Sequence, residues 1–165
     1  MQERCLQAKA VGEGRCPSCR EPGRPVSPTT VGALARLEVE ARDLAVRAYR
    51  FCETPTCPLV YFAPEGVRIE RDHVRVAVHQ KDDGRDVPLC YCFGYTRARL
   101  AREREAAVAF VSAEVKARRC ACDVKNPSGR CCLGDLRRFL RHGGREGRAG
   151  MVEPAPRRSP TPPRR

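Results

Sequence analysis

The sequence predicts an α+β protein, built as a small β-hairpin module followed by a small helical domain and a disordered C-terminal tail. Three observations predict it. Apolar residues alternate with period two between Ala48 and Gln80, they recur at helical spacing between Thr96 and His142, and the cysteines come as close pairs that fall at turns. A chain of 165 residues has room for one ordinary domain or two small ones. It has no Trp, four Tyr and five Phe, so neither part is well supplied with large core-forming rings.

Residues 1–13 read as a flexible N-terminus. The stretch up to Pro28 is loop-like, punctuated by Gly12, Gly14, Pro17, Pro22, Gly23, Pro25 and Pro28. Leu34, Leu37, Ala41, Leu44, Ala45 and Ala48 recur at helical spacing and predict a helix from Leu34 to Ala48. The segments 48–52 and 59–62 are strand candidates, with Cys52-Glu-Thr-Pro-Thr-Cys57 as their turn. Val67 to Arg71 and His73 to His79 alternate and predict a second hairpin. Asp82 to Asp86 is polar and reads as a linker, which closes the first module at residues 14–86.

Beyond Cys92 the pattern becomes helical. Thr96 is a predicted N-cap for a helix over 97–108, and Ser112 with Glu114 begins another through Arg119. Asn126-Pro-Ser-Gly129 breaks the chain. Leu133, Leu136, Phe139 and Leu140 then share one helical face, which Gly143 and Gly144 end. The second domain spans residues 87–142. Residues 141–165 hold seven Arg and five Pro against Glu146 and Glu153, so the tail, 143–165, is predicted to be disordered.

Several function classes are excluded or disfavoured by the same reading. No apolar run exceeds the six residues Ala106 to Val111, against about 20 for a membrane span. Glu3, Arg4, Lys9, Glu13, Arg15 and Arg20 are not the pattern of a secretory signal, so a cytoplasmic location is expected. The formal charge of +12 raises the question of nucleic acid. However, the arginines are scattered over most elements, and no basic helix with interleaved aromatics appears. Weak, salt-sensitive polyanion binding by the tail is the most that this supports, with no specific reading of bases. His73 and His79 share one face of the predicted strand and read as exposed strand histidines. Asp82, Asp83 and Asp86 read as solvated loop. With no nucleophile elbow, phosphate loop or dinucleotide fingerprint, a redox carrier is expected rather than a dedicated catalyst.

Eleven cysteines dominate the chemistry. They form the pairs Cys16/Cys19, Cys52/Cys57, Cys90/Cys92, Cys120/Cys122 and Cys131/Cys132, with Cys5 left over in the N-terminal stretch. An odd number in close pairs, without an export signal, points to reduced thiols and bound metal rather than disulfides. Two thiolates on one tetrahedral ion sit about 3.7 Å apart, a geometry that a short loop holds without strain. Cys16, Cys19, Cys52 and Cys57 supply one closed tetrahedral shell of the structural zinc type, stapling a module too small to stand on its own core.

The three later pairs offer six thiols, more than one zinc uses. From spacing alone they leave open a second and third zinc ion or a 2Fe-2S cluster, which takes four thiolates. Such a cluster carries net negative charge and is stabilised by N–H groups at helix starts, where Cys131 and Cys132 lie. Gly129 and Gly134 are expected to let backbone approach sulfur, and Arg118, Arg119, Arg130 and Arg137 to add positive field. Adjacent side chains at a helix start diverge by about 100°, so one cysteine of each later pair is expected to be a spectator.

These motifs, taken in order, resemble the N-terminal domain of CopZ-type copper chaperones. The likeness runs through Cys16-Pro-x-Cys19, Tyr49-Arg-Phe-Cys-Glu-Thr-Pro-Thr-Cys57-Pro-Leu-Val-Tyr-Phe62, Cys90-Tyr-Cys-Phe-Gly-Tyr-Thr96 and Cys120-x-Cys122-x3-Asn-Pro-Ser-Gly-Arg-Cys-Cys-Leu-Gly134. The resemblance implies a zinc-binding module followed by a 2Fe-2S domain like bacterioferritin-associated ferredoxin. It implies zinc on Cys16, Cys19, Cys52 and Cys57, and the cluster on Cys90 and Cys92 with Cys122 and Cys132. It further implies one-electron reduction of cupric to cuprous ion, an outside electron donor, and a copper chaperone or copper-transporting ATPase as partner. Full-length members continue into a heavy-metal-associated domain with a Met-x-Cys-x-x-Cys loop. Here Met151 is followed by Val-Glu-Pro-Ala-Pro and no cysteine follows Cys132, so direct copper carriage by that loop is not expected. The competing readings are a zinc-only interaction protein and an Arg-rich zinc protein with nonspecific nucleic-acid binding.

Overall fold

A computed structural model of the chain describes residues 14–36, 47–64 and 66–143. Its first half is a four-stranded antiparallel sheet in the order β1 (Arg24–Pro25), β2 (Arg50–Phe51), β3 (Leu59–Phe62) and β4 (Arg68–Glu70). The predicted hairpin around Cys52-Glu-Thr-Pro-Thr-Cys57 is present, with Arg50 opposite Phe62 and Phe51 opposite Tyr61. Strand β3 is buried along its whole length. Val60 and Tyr61 join a core with Phe51, Ile69, Val31 and Leu34, while Leu59 and Phe62 pack on the first four cysteines.

Helix α1 (Pro28–Leu34) contributes Val31 and Leu34 to this core. It ends where a helix was expected to begin: Ala35 is extended, and residues 37–46 of the expected Leu34–Ala48 helix lie outside the described residues. Its start obeys ordinary rules, because the Ser27 hydroxyl accepts from the Thr29 N–H and Pro28 occupies the first turn, where its missing N–H costs nothing.

The second predicted hairpin is not formed. The chain after β4 makes a 3-10 turn at Arg71–His73 and then bends, and β4 pairs with β3 instead. The alternation from His73 to His79 arises because Val74 and Val78 reach inward from an irregular segment, so His73 and His79 share no strand face. His73 is exposed. His79 is buried, with Nε2 3.5 Å from the Asp135 carboxylate. Asp82 is also no solvated linker residue, since its carboxylate accepts from the Val78 N–H at 2.8 Å and from Arg71 at 3.3 Å.

The second half opens with a short hairpin of β5 (Pro88–Cys90) and β6 (Tyr95–Thr96). Helix α2 (Arg97–Lys116) follows directly, with the Thr96 hydroxyl capping the Arg99 N–H as expected. Its interruption falls at Arg104 (φ 46°, ψ −120°) rather than between two helices near residue 110. Leu100, Ala107 and Val111 form its buried stripe. Helix α3 (Cys122–Lys125) and helix α4 (Leu133–Arg141) complete the half, and Gly143 leaves α4 in the left-handed region at φ 67°. Leu89, Leu100, Val111, Leu136 and Phe139 make a second core. The expected disordered tail lies outside the described residues.

The two halves meet at the Asn126-Pro-Ser-Gly129 loop. Asn126 is 1% exposed and holds the turn, donating to the Arg130 carbonyl at 2.7 Å and accepting from the Ser128 N–H and hydroxyl. The Tyr61 hydroxyl, on the sheet, donates to the Pro127 carbonyl at 2.8 Å, and the Thr30 hydroxyl of α1 donates to the Asp123 carbonyl. Gly129, at φ +66°, sits so close to Thr30 and Val26 that a Cβ there would lie 3.2 Å and 3.3 Å from them. Its close approach is to α1, not to sulfur, and Gly134 faces open space.

Tyr61→Phe tests this seam. It leaves a buried carbonyl without its donor, a loss of about 1–3 kcal/mol, and chemical denaturation of the full chain should show it.

Candidate metal centres

Cys16 and Cys19 sit on a tight knuckle. The Arg20 N–H donates to the Cys16 carbonyl at 2.9 Å, the Cys16 N–H donates to Glu21, and Arg20 turns the chain at φ 64°. The knuckle aims the Ser18 and Cys19 N–H groups at the Cys16 sulfur. Cys52 directly follows β2 and Cys57 precedes β3, so the hairpin sets their spacing. The four sulfurs lie within 4.8 Å of one another, with Cys16 Sγ to Cys57 Sγ at 3.7 Å and Cys19 Sγ to Cys52 Sγ at 3.6 Å. A tetrahedron with arms of about 2.3 Å has edges of about 3.7 Å, so donor type and size both fit one zinc ion.

The surroundings split the thiol acidities. Burial pushes the Cys52 thiol up to about 12 and raises Cys16. Burial also works against ionisation of Cys19, but the Thr54 hydroxyl, 3.3 Å from its sulfur, and the Glu21 N–H bring it down to about 7. Lys81 lies beneath the Cys52–Cys57 turn, donating to the Thr54 and Cys57 carbonyls at 2.7 Å and 3.1 Å. Nothing in the sequence reading singled it out, because a lysine beside two aspartates looks like solvated loop.

The later cysteines divide into two kinds. Cys90, Cys122 and Cys132 are buried, Cys92 and Cys120 are half-buried, and Cys131 is exposed. Cys92 Sγ is 3.6 Å from Cys122 Sγ, and the Cys132 thiol is within hydrogen-bonding reach of both Cys122 and Cys90. The Cys120 thiol lies within reach of Cys122 as well, so five thiols gather in this half. Among the described residues only the first quartet closes to within 4.8 Å.

Backbone donors converge on these sulfurs. The Ala121 N–H donates to Cys92 Sγ at 3.3 Å, the Cys132 N–H points at Cys122, and the Phe93 and Cys92 N–H groups point at Cys90. Hydrogen bonds from the Cys132 thiol and N–H take Cys122 down to about 5, and the Cys132 thiol takes Cys90 down to about 7. Burial pushes Cys92 up to about 12. Cys122 opens α3 and Cys132 caps α4, so both sit at helix starts. Of the arginines expected to add positive field, Arg130 and Arg137 are exposed and Arg119 is paired with Glu114.

Known proteins resemble the chain over the same residues. The zinc-binding domain family of CopZ type matches residues 13–75. The copper chaperone CopZ of Archaeoglobus fulgidus is 32% identical over 127 residues, which is 76% of this chain and 61% of that protein. The chain therefore spans less than two thirds of that relative's length. The X-ray structure of the Archaeoglobus fulgidus CopZ N-terminal domain superposes with a TM-score of 0.60 at 32% identity, covering 76% of this chain and 97% of that one. Among the described residues no helix is long and apolar enough to cross a membrane.

Because Cys52 and Cys16 keep their protons near neutrality, zinc must displace them. Zinc uptake at pH 8 in weak buffer should release about two protons or more per ion. Affinity should fall as pH is lowered, more steeply below 7 where Cys19 also protonates. Proton release followed by an indicator dye, beside a chelator-competition series in pH, checks both.

Proposed function

The chain belongs to the CopZ N-terminal domain family and contains its zinc-binding domain, and from that premise we propose that it is a zinc- and 2Fe-2S-binding electron-transfer module of copper handling. Residues 14–86 form the zinc module, with Cys16, Cys19, Cys52 and Cys57 as ligands. Residues 87–142 form the cluster module, with Cys90, Cys92, Cys122 and Cys132 as its ligands.

The observation that carries this reading is a gathering of thiols in the second half that, among the described residues, does not close into a tight quartet like the first. A single tetrahedral ion draws its sulfurs into a cage like that of the first quartet, whereas a two-iron core spreads four thiolates along its length. The N–H groups of Ala121, Cys132 and Phe93 stabilise negative sulfur there. The burial of Cys132 beside exposed Cys131, and of Cys122 beside half-buried Cys120, supports Cys132 and Cys122 as the ligands of those pairs.

When bound, the cluster would supply one electron at a time, taking cupric ion to cuprous with the electron drawn from a separate donor protein. The chain's own contribution is to shield the sulfurs: Leu89, Leu100 and Leu136 pack around them in the second core. Exclusion of water and N–H donation to sulfur tune a cluster's potential, alongside its type and net charge. The relative is named a copper chaperone, so a separate copper chaperone or copper-transporting ATPase is the proposed partner, with this chain itself in the cytoplasm.

Full-length chain isolated without oxygen should be reddish-brown, bleach with dithionite, and contain about two irons, two sulfides and one zinc. Cys122→Ser should remove iron and colour but keep the zinc, and Cys120→Ser should keep all three. Colourless native protein with zinc alone defeats the cluster reading, and a cluster lost in Cys120→Ser but retained in Cys122→Ser defeats the ligand assignment.

A further inference from the structure

Lys81 is buried, 8% exposed, and burial works against its ammonium form while negative charge on the Cys52, Cys57 and Cys19 sulfurs would favour it. Its two hydrogen-bond acceptors are the neutral carbonyl oxygens of Thr54 and Cys57. Among the described residues no carboxylate pairs with it: nearby Asp82 is engaged by Arg71 and the Val78 N–H. The two carbonyls take two of the ammonium's three N–H donors but leave the charge itself uncompensated, and an interior charge is costly without a counter-charge. The charges acting on it most strongly are the Cys52, Cys57 and Cys19 sulfurs and, with like sign, Arg71, while Glu53 and Asp82, which line the same cavity, pair with Arg24 and Arg71. As neutral thiols those sulfurs offset nothing. Four thiolates on one divalent ion carry a net charge of about −2.

We propose that Lys81 is the counter-cation of the four-cysteine zinc centre, a positioning residue that favours the fully ionised thiolate shell and pins the Thr54–Cys57 turn with the same ammonium. The inference rests on the zinc reading above. It explains why a lysine is buried at the seam, where an uncharged side chain of the same length would fill the space without the desolvation penalty. It also explains why its hydrogen bonds go to the turn that carries two of the sulfurs.

The test uses the full zinc-loaded chain and measures zinc affinity by chelator competition, with circular dichroism to establish folding. Lys81→Met keeps the length and removes the charge. Lys81→Gln removes the charge but keeps N–H donors for the turn carbonyls, and it carries the comparison if Lys81→Met does not fold. Both should weaken zinc by about 10–100-fold, the usual range for groups supporting a metal shell. The decisive comparison repeats the changes in a Cys19→His background, where a neutral imidazole lowers the charge of the shell by one. There the loss should be several-fold smaller than in the native shell.

Native affinity in Lys81→Gln overturns the proposal, because hydrogen bonding would then account for the role. An equal loss in the two backgrounds overturns it as well. A native chain whose zinc binding is indifferent to Cys52→Ser shows instead that the zinc reading has failed, and the counter-cation falls with it.

Discussion

Four sulfur atoms brought within 4.8 Å of one another govern the first half of this protein. They come from two loops some thirty to forty residues apart in sequence, and Leu59 and Phe62 of the central strand rest directly on them. The strands themselves are two to four residues long, and a sheet of that size buries little apolar surface. A zinc-binding domain of this kind draws on metal ligation for stability that its core alone does not supply. The adjoining core of Phe51, Tyr61, Ile69 and Val31 then has a fixed edge to pack against.

The second half solves the same shortage differently. Its sulfurs lie within its core rather than at one edge of it, so the helices α2 and α4 close over Cys90, Cys122 and Cys132 together with Leu89 and Leu136. Helix starts at Cys122 and Cys132 direct backbone N–H groups toward sulfur, which favours the ionised form without bringing in mobile side chains. The arginines nearby contribute less than their number suggests, because exposed guanidinium groups are screened by water.

The seam between the halves is polar and specific. Tyr61, Thr30 and Asn126 direct their hydrogen bonds to the Asp123–Arg130 segment, while Arg97 donates from α2 to the His79 and Asp82 carbonyls at 2.7 Å and 2.9 Å. The segment Ala77–Asp82 thereby touches both sides: Lys81 reaches the Cys52–Cys57 turn, and His79 reaches Asp135 on α4. A short route of packed polar groups thus joins the two halves.

The sequence alone determined what local chemistry can determine. Cysteine spacing identified the knuckle and the hairpin turn, the short apolar run Leu59–Phe62 located β3, Thr96 marked the start of α2, and the Leu133–Leu140 face with Gly143 delimited α4. Each depends on residues within a few positions of one another. Tertiary structure decided the rest. The alternation from His73 to His79 imitated a strand because two valines point inward from bends. Gly129 serves α1 instead of a sulfur, and Lys81 is buried because a turn 24 residues earlier folds over it. Burial and long-range partners depend on which surfaces meet after folding, and no periodicity within a single segment encodes that.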